Sequence, residues 1–166
     1  MRTFVQTLLA SATLLATIAG ADETPKRYEL REIGASPVWY GSGATASYVL
    51  PFDKPYSALS GEQQESLKRQ YERMGPTDEP PFPVEGLRAL YDPILRGASK
   101  VSLSGNFAAN IEVDAQGVPV SVAVLRSPNK ATTDFVAGVA MLTKFKPAVC
   151  EGKPCQMGFP VRITFK

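Results

Sequence analysis

The chain has 166 residues, of which 44% are apolar and 20% charged, the profile of a folded globular protein and not of a disordered one. With residues 1–21 set aside as a signal segment, about 145 remain, enough for one domain with a flank and too few for two. A net charge of +2 lacks the whole-molecule field of a nucleic-acid binder, and the absence of histidine excludes Ser-His-Asp and Cys-His catalysis, His-ligated zinc and a His pH switch.

In chain order, Arg2 supplies a positive start, and Phe4 to Ala19 is apolar apart from Gln6, Ser11 and scattered threonines. The stretch ends in Ala19-Gly20-Ala21, an A-x-A cleavage pattern, and the polar run Asp22-Glu23-Thr24-Pro25-Lys26-Arg27 follows. These features in this order predict a secretory signal peptide, cleaved near Ala21, and a mature chain in the periplasm or outside the cell. The alternative is an uncleaved membrane anchor, because the stretch is near the lower end of spanning length. Residues 22–58 are broken by Pro25, Pro37, Pro51, Pro55 and Gly41-Ser42-Gly43, which prevents long helices. Trp39, Tyr40, Tyr48, Phe52 and Tyr56 between them imply docking on a folded surface.

A helix is expected at about 61–74. Ser60 and Gln63 make an S-x-x-Q capping box, Leu67, Tyr71 and Met74 form a narrow apolar stripe, and Gly75-Pro76 ends it. Asp78-Glu79-Pro80-Pro81-Phe82-Pro83 must be extended, with Asp78 and Glu79 as linker charges. Val84 to Arg96 predicts a second helix with Leu87, Leu90, Tyr91, Ile94 and Leu95 on one side, kinked or split at Pro93. Phe107, Ala109, Ile111 and Val113 then alternate with polar or small residues, Asp114-Ala115-Gln116-Gly117 turns, and Val118, Val120, Val122 and Val124 alternate again. That is a half-buried hairpin, closed by Ser127-Pro128-Asn129. From about Thr133 to Lys144, Phe135, Val136, Val139, Ala140 and Leu142 fit a helical stripe. Phe145, between Lys144 and Lys146, begins an extended segment and should be buried between that helix and the sheet. The final strand alternates Phe159, Val161, Ile163 and Phe165.

Cys150 and Cys155 bracket the turn Glu151-Gly152-Lys153-Pro154 and suit a disulfide across a hairpin base in an oxidising compartment. Their C-x-x-x-x-C spacing is not the C-x-x-C of thiol oxidoreductases.

Few residues offer chemistry. Ser127 and Lys130 spell S-x-x-K, but Pro128 places them in a turn and the companion motifs of β-lactam-binding enzymes are missing. Glu112 and Asp114 share a strand face as solvated charges. No catalytic residue, metal ligand or cofactor is assigned. The chain is acidic before Gly97 and basic after it: residues 22–97 hold 12 acidic and 9 basic side chains, residues 98–166 hold 4 and 8. Arg126, Lys130, Lys144, Lys146, Lys153, Arg162 and Lys166 are therefore candidates for meeting anionic cell-wall components.

Residues 80–166 resemble the C-terminal domain of TonB-type proteins. The resemblance rests on Phe82-Pro83 before the helix, Gly105 opening the first strand, the turn Val113-Asp114-Ala115-Gln116-Gly117-Val118, and the strand exit Val124-Leu125-Arg126-Ser127. Lys144-Phe145-Lys146-Pro147-Ala148 and the turn Gly152-Lys153-Pro154 complete it. It implies an α+β fold in which a small antiparallel sheet of three to four strands packs with two helices. To this the chain adds a Pro- and aromatic-rich flank, 22–79, with one extra helix. Phe82, Pro83, Gly117, Phe145 and Pro147 are its structural positions. The resemblance implies a non-enzymatic envelope module that captures extended peptides of outer-membrane or other envelope proteins at the edge of its last strand. That edge comprises Gln156, Met157, Gly158, Phe159, Val161, Arg162, Ile163 and Thr164, with Pro160 removing one donor. A TonB-type energy transducer serving outer-membrane receptors is the alternative if the N-terminal segment stays in the membrane. The short, non-repetitive 22–79 differs from a transducer's long linker.

Overall fold

The structure, a computed structural model, describes residues 50–98, 100 and 103–165. Residues 1–21, expected from their sequence to be a signal segment, the stretch 22–49 with Trp39, Tyr40 and Tyr48, and Lys166 lie outside the described residues. Among the described residues the architecture is α+β, with three α-helices and small antiparallel sheets, and no helix is long and apolar enough to cross a membrane.

The first helix, α1 (Gly61–Lys68), starts as its sequence dictates. Ser60 Oγ accepts from the Gln63 N–H and Gln63 Oε1 accepts from the Ser60 N–H, the reciprocal capping box. It stops well before residue 74, because the Gln70 and Tyr71 N–H groups close tighter turns on the Leu67 and Lys68 carbonyls. That bend carries the Tyr71 ring inward beside Ala148 and Met157, and burial outweighs continuing the helix. The second helix, α2 (Arg88–Ala98), starts later than residue 84. Val84 is tied by its N–H to the Lys144 carbonyl, and a turn at Gly86 separates it from the helix. Pro93 lies inside α2 without ending it. Leu90, Tyr91 and Ile94 are buried as expected, whereas Leu95 is 41% exposed at the rim of the stripe.

Strands β1 (Phe82–Pro83), β2 (Gly105–Val113) and β3 (Pro119–Arg126) precede the third helix, α3 (Lys130–Leu142). After it come β4 (Phe145–Lys146), β5 (Ala148–Cys150), β6 (Lys153–Cys155) and β7 (Met157–Phe165). The main sheet is antiparallel in the order β3-β2-β7, while β1 pairs with β4 and β5 with β6. The β2–β3 turn is built by Asp114, whose carboxylate accepts from the Gln116 and Val118 N–H groups at 2.9 and 2.8 Å. Gly117 has φ +81° there, and its carbonyl accepts the Phe145 N–H. A Cβ at this position would collide with the Phe145 carbonyl, so the turn needs glycine both for its backbone and for this close approach. Helix α3 begins at Lys130 because Asn129, expected only to break the hairpin, caps it by accepting the Thr132 N–H at 2.8 Å. Val136 and Ala140 face the core, Phe135 and Val139 are half-buried, and Leu142, expected in the stripe, is 86% exposed.

The core lies between the helices and one face of the sheet, where Phe107, Ala109, Ile111 and Val113 of β2 meet Phe159, Val161, Ile163 and Phe165 of β7. Phe145 is buried, with its ring centroid 5.4 Å from that of Phe159, which in turn meets Phe82 edge-on. Leu50, Tyr56, Leu59 and Leu67, from the flank, belong to the same core. The valines of the second hairpin arm depart from the expected half-buried pattern: Val118, just before β3, and Val120 and Val124 within it are exposed, and only Val122 packs against the core. The cause is an outer position in the sheet combined with register shifts at both ends of the strand, which break the strict alternation.

Candidate functional site

Two structural ties set how the flank meets the sheet. Cys150 and Cys155 are disulfide-bonded with Cα atoms 5.8 Å apart, closing the β5–β6 hairpin. Its two-residue turn has positive φ at both Glu151 and Gly152, the geometry that suits strand twist. Asp78 reaches this turn. Expected as a solvated linker charge, it is buried, and its carboxylate accepts from the Glu151 N–H and the Gly75 N–H, both at 2.8 Å. Glu79 then exchanges both backbone hydrogen bonds with Val149 at 2.9 Å. Its carboxylate pairs with the Lys146 ammonium at 3.0 Å. The linker is therefore a strand-like strap bound to the hairpin, and its charges have partners.

The strap holds two phenols near the outer edge of β7. Tyr71 donates its hydroxyl to the Gly158 carbonyl at 2.9 Å. Alternate residues of an antiparallel strand turn their backbone groups toward and away from the partner, so Gly158, Pro160, Arg162 and Thr164 form the outward row and the odd-numbered residues pair with β2. Pro160 falls on that row, where its missing donor costs the sheet nothing. Tyr91 lies against Arg162: burial raises its phenol pKa well above the ordinary value, while the Arg162 backbone N–H and guanidinium pull it down. Burial, then the charge of Glu112, raises Tyr71 likewise. A cavity of about 30 Å³, room for about one water, lies here between Leu67, Tyr71, Tyr91 and Pro160.

Of the residues expected to form a peptide-binding edge, Met157, Phe159, Val161 and Ile163 are buried, as is Gly158, and Arg162 is half-buried. Gln156 and Thr164 are exposed, and the Thr164 hydroxyl bonds Asn106 Oδ1 across the strands at 2.9 Å. The outward row of β7 is thus lined by the chain's own side chains from Gly158 to Arg162.

The opposite edge is different. Ala108, Asn110 and Glu112 are the β2 residues that turn toward β3, and they pair with Arg126, Ala123 and Ser121. Val122 and Val124 therefore turn their N–H and C=O groups outward, and among the described residues β3 pairs with β2 alone. Beside this row Val118, Val120 and Leu125 are exposed, Leu125 by 71%. Register shifts flank it on both sides. Sequence reasoning missed this edge because the run of alternating valines reads as a core-facing strand; only the strand order identifies it as outermost.

The remaining candidates stay apart. Ser127 Oγ donates to the Asn129 carbonyl and Lys130 pairs with Asp134, so no serine–lysine pair is assembled. Lys146 is held by Glu79, by the Pro80 and Pro147 carbonyls, and over the Tyr56 ring, 4.8 Å from its centroid. Tyr56 itself is pushed up to about 12 by burial, with Glu79 and Glu65 adding to the effect. The described basic residues come from several elements, and Lys130 and Lys146 are paired with acidic neighbours. Among the described residues no group of three potential metal ligands is found. No family model, curated protein or solved structure matches the chain.

Proposed function

We propose that the chain is a non-catalytic binding module of the cell envelope, of the TonB C-terminal type, that takes extended peptide segments of outer-membrane or other envelope proteins as an added strand. The observation that carries this reading is the outward backbone row of Val122 and Val124 at the edge of the main sheet, beside exposed apolar side chains. The succession α2, β2, β3, α3, β7 supports it, as does the turn at Gly117 closing over Phe145, which unites two of the motifs that carry the TonB resemblance. Tyr71, Pro160 and Tyr91 along the outer row of β7 favour β3 over the last strand as the acceptor. The signal segment read in residues 1–21 puts the module in the periplasm or outside the cell, and an N-terminus at Asp22 in the mass spectrum of the exported chain checks this.

Main-chain hydrogen bonds contribute about 0.5–1.5 kcal/mol each, so a few such bonds plus a little apolar contact give micromolar affinity at best. Titration of the labelled chain with short extended peptides from envelope proteins tests the reading by chemical-shift mapping. Shifts should centre on residues 119–126. Shifts confined to residues 22–58, or none at millimolar peptide, would refute strand addition to this sheet.

A further inference from the structure

We infer that the Cys150–Cys155 disulfide is a redox latch: its reduction by a dithiol releases the strap from the β5–β6 hairpin and uncovers the outward row of β7 at Gly158. The inference concerns the edge opposite the proposed peptide acceptor and does not rest on that reading. Its starting point is a second apolar cluster, separate from the main core, in which half-buried Met74, Cys150 and Cys155 pack around Tyr71, Ala148 and Met157. The disulfide thus belongs to the small group of side chains that seats the Tyr71 ring, and the Tyr71 hydroxyl is what occupies the Gly158 carbonyl.

Without its bond this hairpin has little to hold it. Its arms are three residues each, and its turn puts Glu151 at φ 52°, a left-handed conformation that favours glycine. A two-stranded hairpin of that size is marginal by itself. The strap hangs on the same element: Asp78 accepts the Glu151 N–H, and Glu79 exchanges both backbone bonds with Val149. Asp78 also holds the Gly75 N–H, so the tie runs on toward Tyr71. In the reduction a dithiol thiolate attacks one cysteine sulfur, the Cys150–Cys155 bond breaks and a mixed disulfide forms. The second thiolate of the dithiol then displaces the protein sulfur. Both cysteines are left as thiols carrying the two protons, and the reductant leaves as its own disulfide. Cys150 and Cys155 are half-buried and the four residues between them are exposed, so a small dithiol can reach the bond.

Amide hydrogen exchange of the labelled, exported chain, followed by NMR with the bond intact and then in excess dithiothreitol, tests this. Exchange at Gly75, Glu79, Val149 and Glu151 should speed up roughly thirtyfold on reduction, the equivalent of the loop-closure entropy of so short a loop, and should slow again on reoxidation. The Phe159 and Val161 amides, paired with β2, should remain the slower ones throughout. Cys150→Ser combined with Cys155→Ser should leave a folded chain in which tetranitromethane nitrates Tyr71, whereas the disulfide-intact chain keeps that ring buried and unreactive. Equal rates in the two redox states overturn the inference, because the hairpin then stands without its bond. Main-sheet amides that become as fast as those of the strap overturn it as well, as does a doubly substituted chain that fails to fold, since the latch must open on an intact core. Faster exchange in the strap with Tyr71 still unreactive leaves β7 covered and refutes the latch.

Discussion

Phe145→Ala is the sharpest test of how the second half of the chain is assembled. Phe145 is flanked in sequence by two lysines, yet it is 4% exposed, packs its ring against Phe159, and donates its N–H to the Gly117 carbonyl. Truncation removes most of a buried aromatic side chain, about 2–3 kcal/mol of transfer free energy. The ring pairing with Phe159 adds about 0.5–1.5 kcal/mol. A residual cavity raises the cost further, because β1 and β4 are fixed to each other and the site cannot collapse freely. The total is about 3–5 kcal/mol, in the range found for large aromatic truncations. Urea unfolding of the disulfide-intact protein, followed by circular dichroism, measures it directly. Heating should show a Tm lower by roughly 10–20 °C. Phe145→Leu, which fills much of the space, should lose less than half as much. A loss below about 1 kcal/mol for Phe145→Ala would mean that the ring does not join the core, and the placement of β4 under the Gly117 turn would be wrong.

Non-reducing mass analysis of the exported chain should find it lighter by the two thiol hydrogens, and reduction should cost about 2 kcal/mol of stability; free alkylation without a reductant would refute the bond. Asp78→Ala leaves two backbone N–H groups without their carboxylate and should cost about 2–4 kcal/mol, with Asp78→Asn recovering part of it; a neutral effect would return Asp78 to the role of a surface charge. Tyr56 ionises near pH 12 in the folded chain against about 10 when unfolded, so the unfolded chain loses its proton first. The stabilisation is complete below pH 10 and fades as pH rises from 10 through 12. Phenolate absorbance should therefore develop late and together with unfolding, and an ordinary titration of all the tyrosines would contradict this. Tyr71→Phe keeps the ring but strips the hydrogen bond from the Gly158 carbonyl, for a cost of about 1–2 kcal/mol. Peptide affinity should not change; a large gain would move the acceptor edge to β7.

What the sequence made legible were features decided within a few residues. The Ser60–Gln63 box, the Asp114–Gly117 turn, the cysteine hairpin and the alternation in β2 and β7 all follow from local chemistry and strand period. The errors lie where a distant element decides. Tyr71 leaves its helix because a pocket beside Met157 and Ala148 accepts the ring. Asp78 is buried because a turn far along the chain presents the Glu151 N–H to it. The valines of β3 have the pattern of a half-buried strand, and nothing local states that the strand is outermost. The last strand could be named from sequence as an edge of the sheet, while the phenols lining it could not: Tyr71 and Tyr91 come from the flank and from α2.

The two edges of the sheet are managed by different devices, and the difference bears on function. An open edge is a hazard that folded proteins blunt. On β7 the blunting is costly in sequence: it needs Pro160 on the outward row, Tyr71 on Gly158, Tyr91 beside Arg162, and a strap anchored through Asp78 to a disulfide-closed hairpin. On β3, among the described residues, it consists only of two register shifts, between which Val122 and Val124 keep their outward groups and the neighbouring apolar side chains stay in water. A chain that had only to remain inert would gain from a charge or a proline in the middle of β3, where Ser121, Val122, Ala123 and Val124 supply neither. The asymmetry is what the proposed strand capture would require: one edge committed to its own flank, and the other left short enough to resist indiscriminate pairing while keeping outward backbone groups for a partner of matching length.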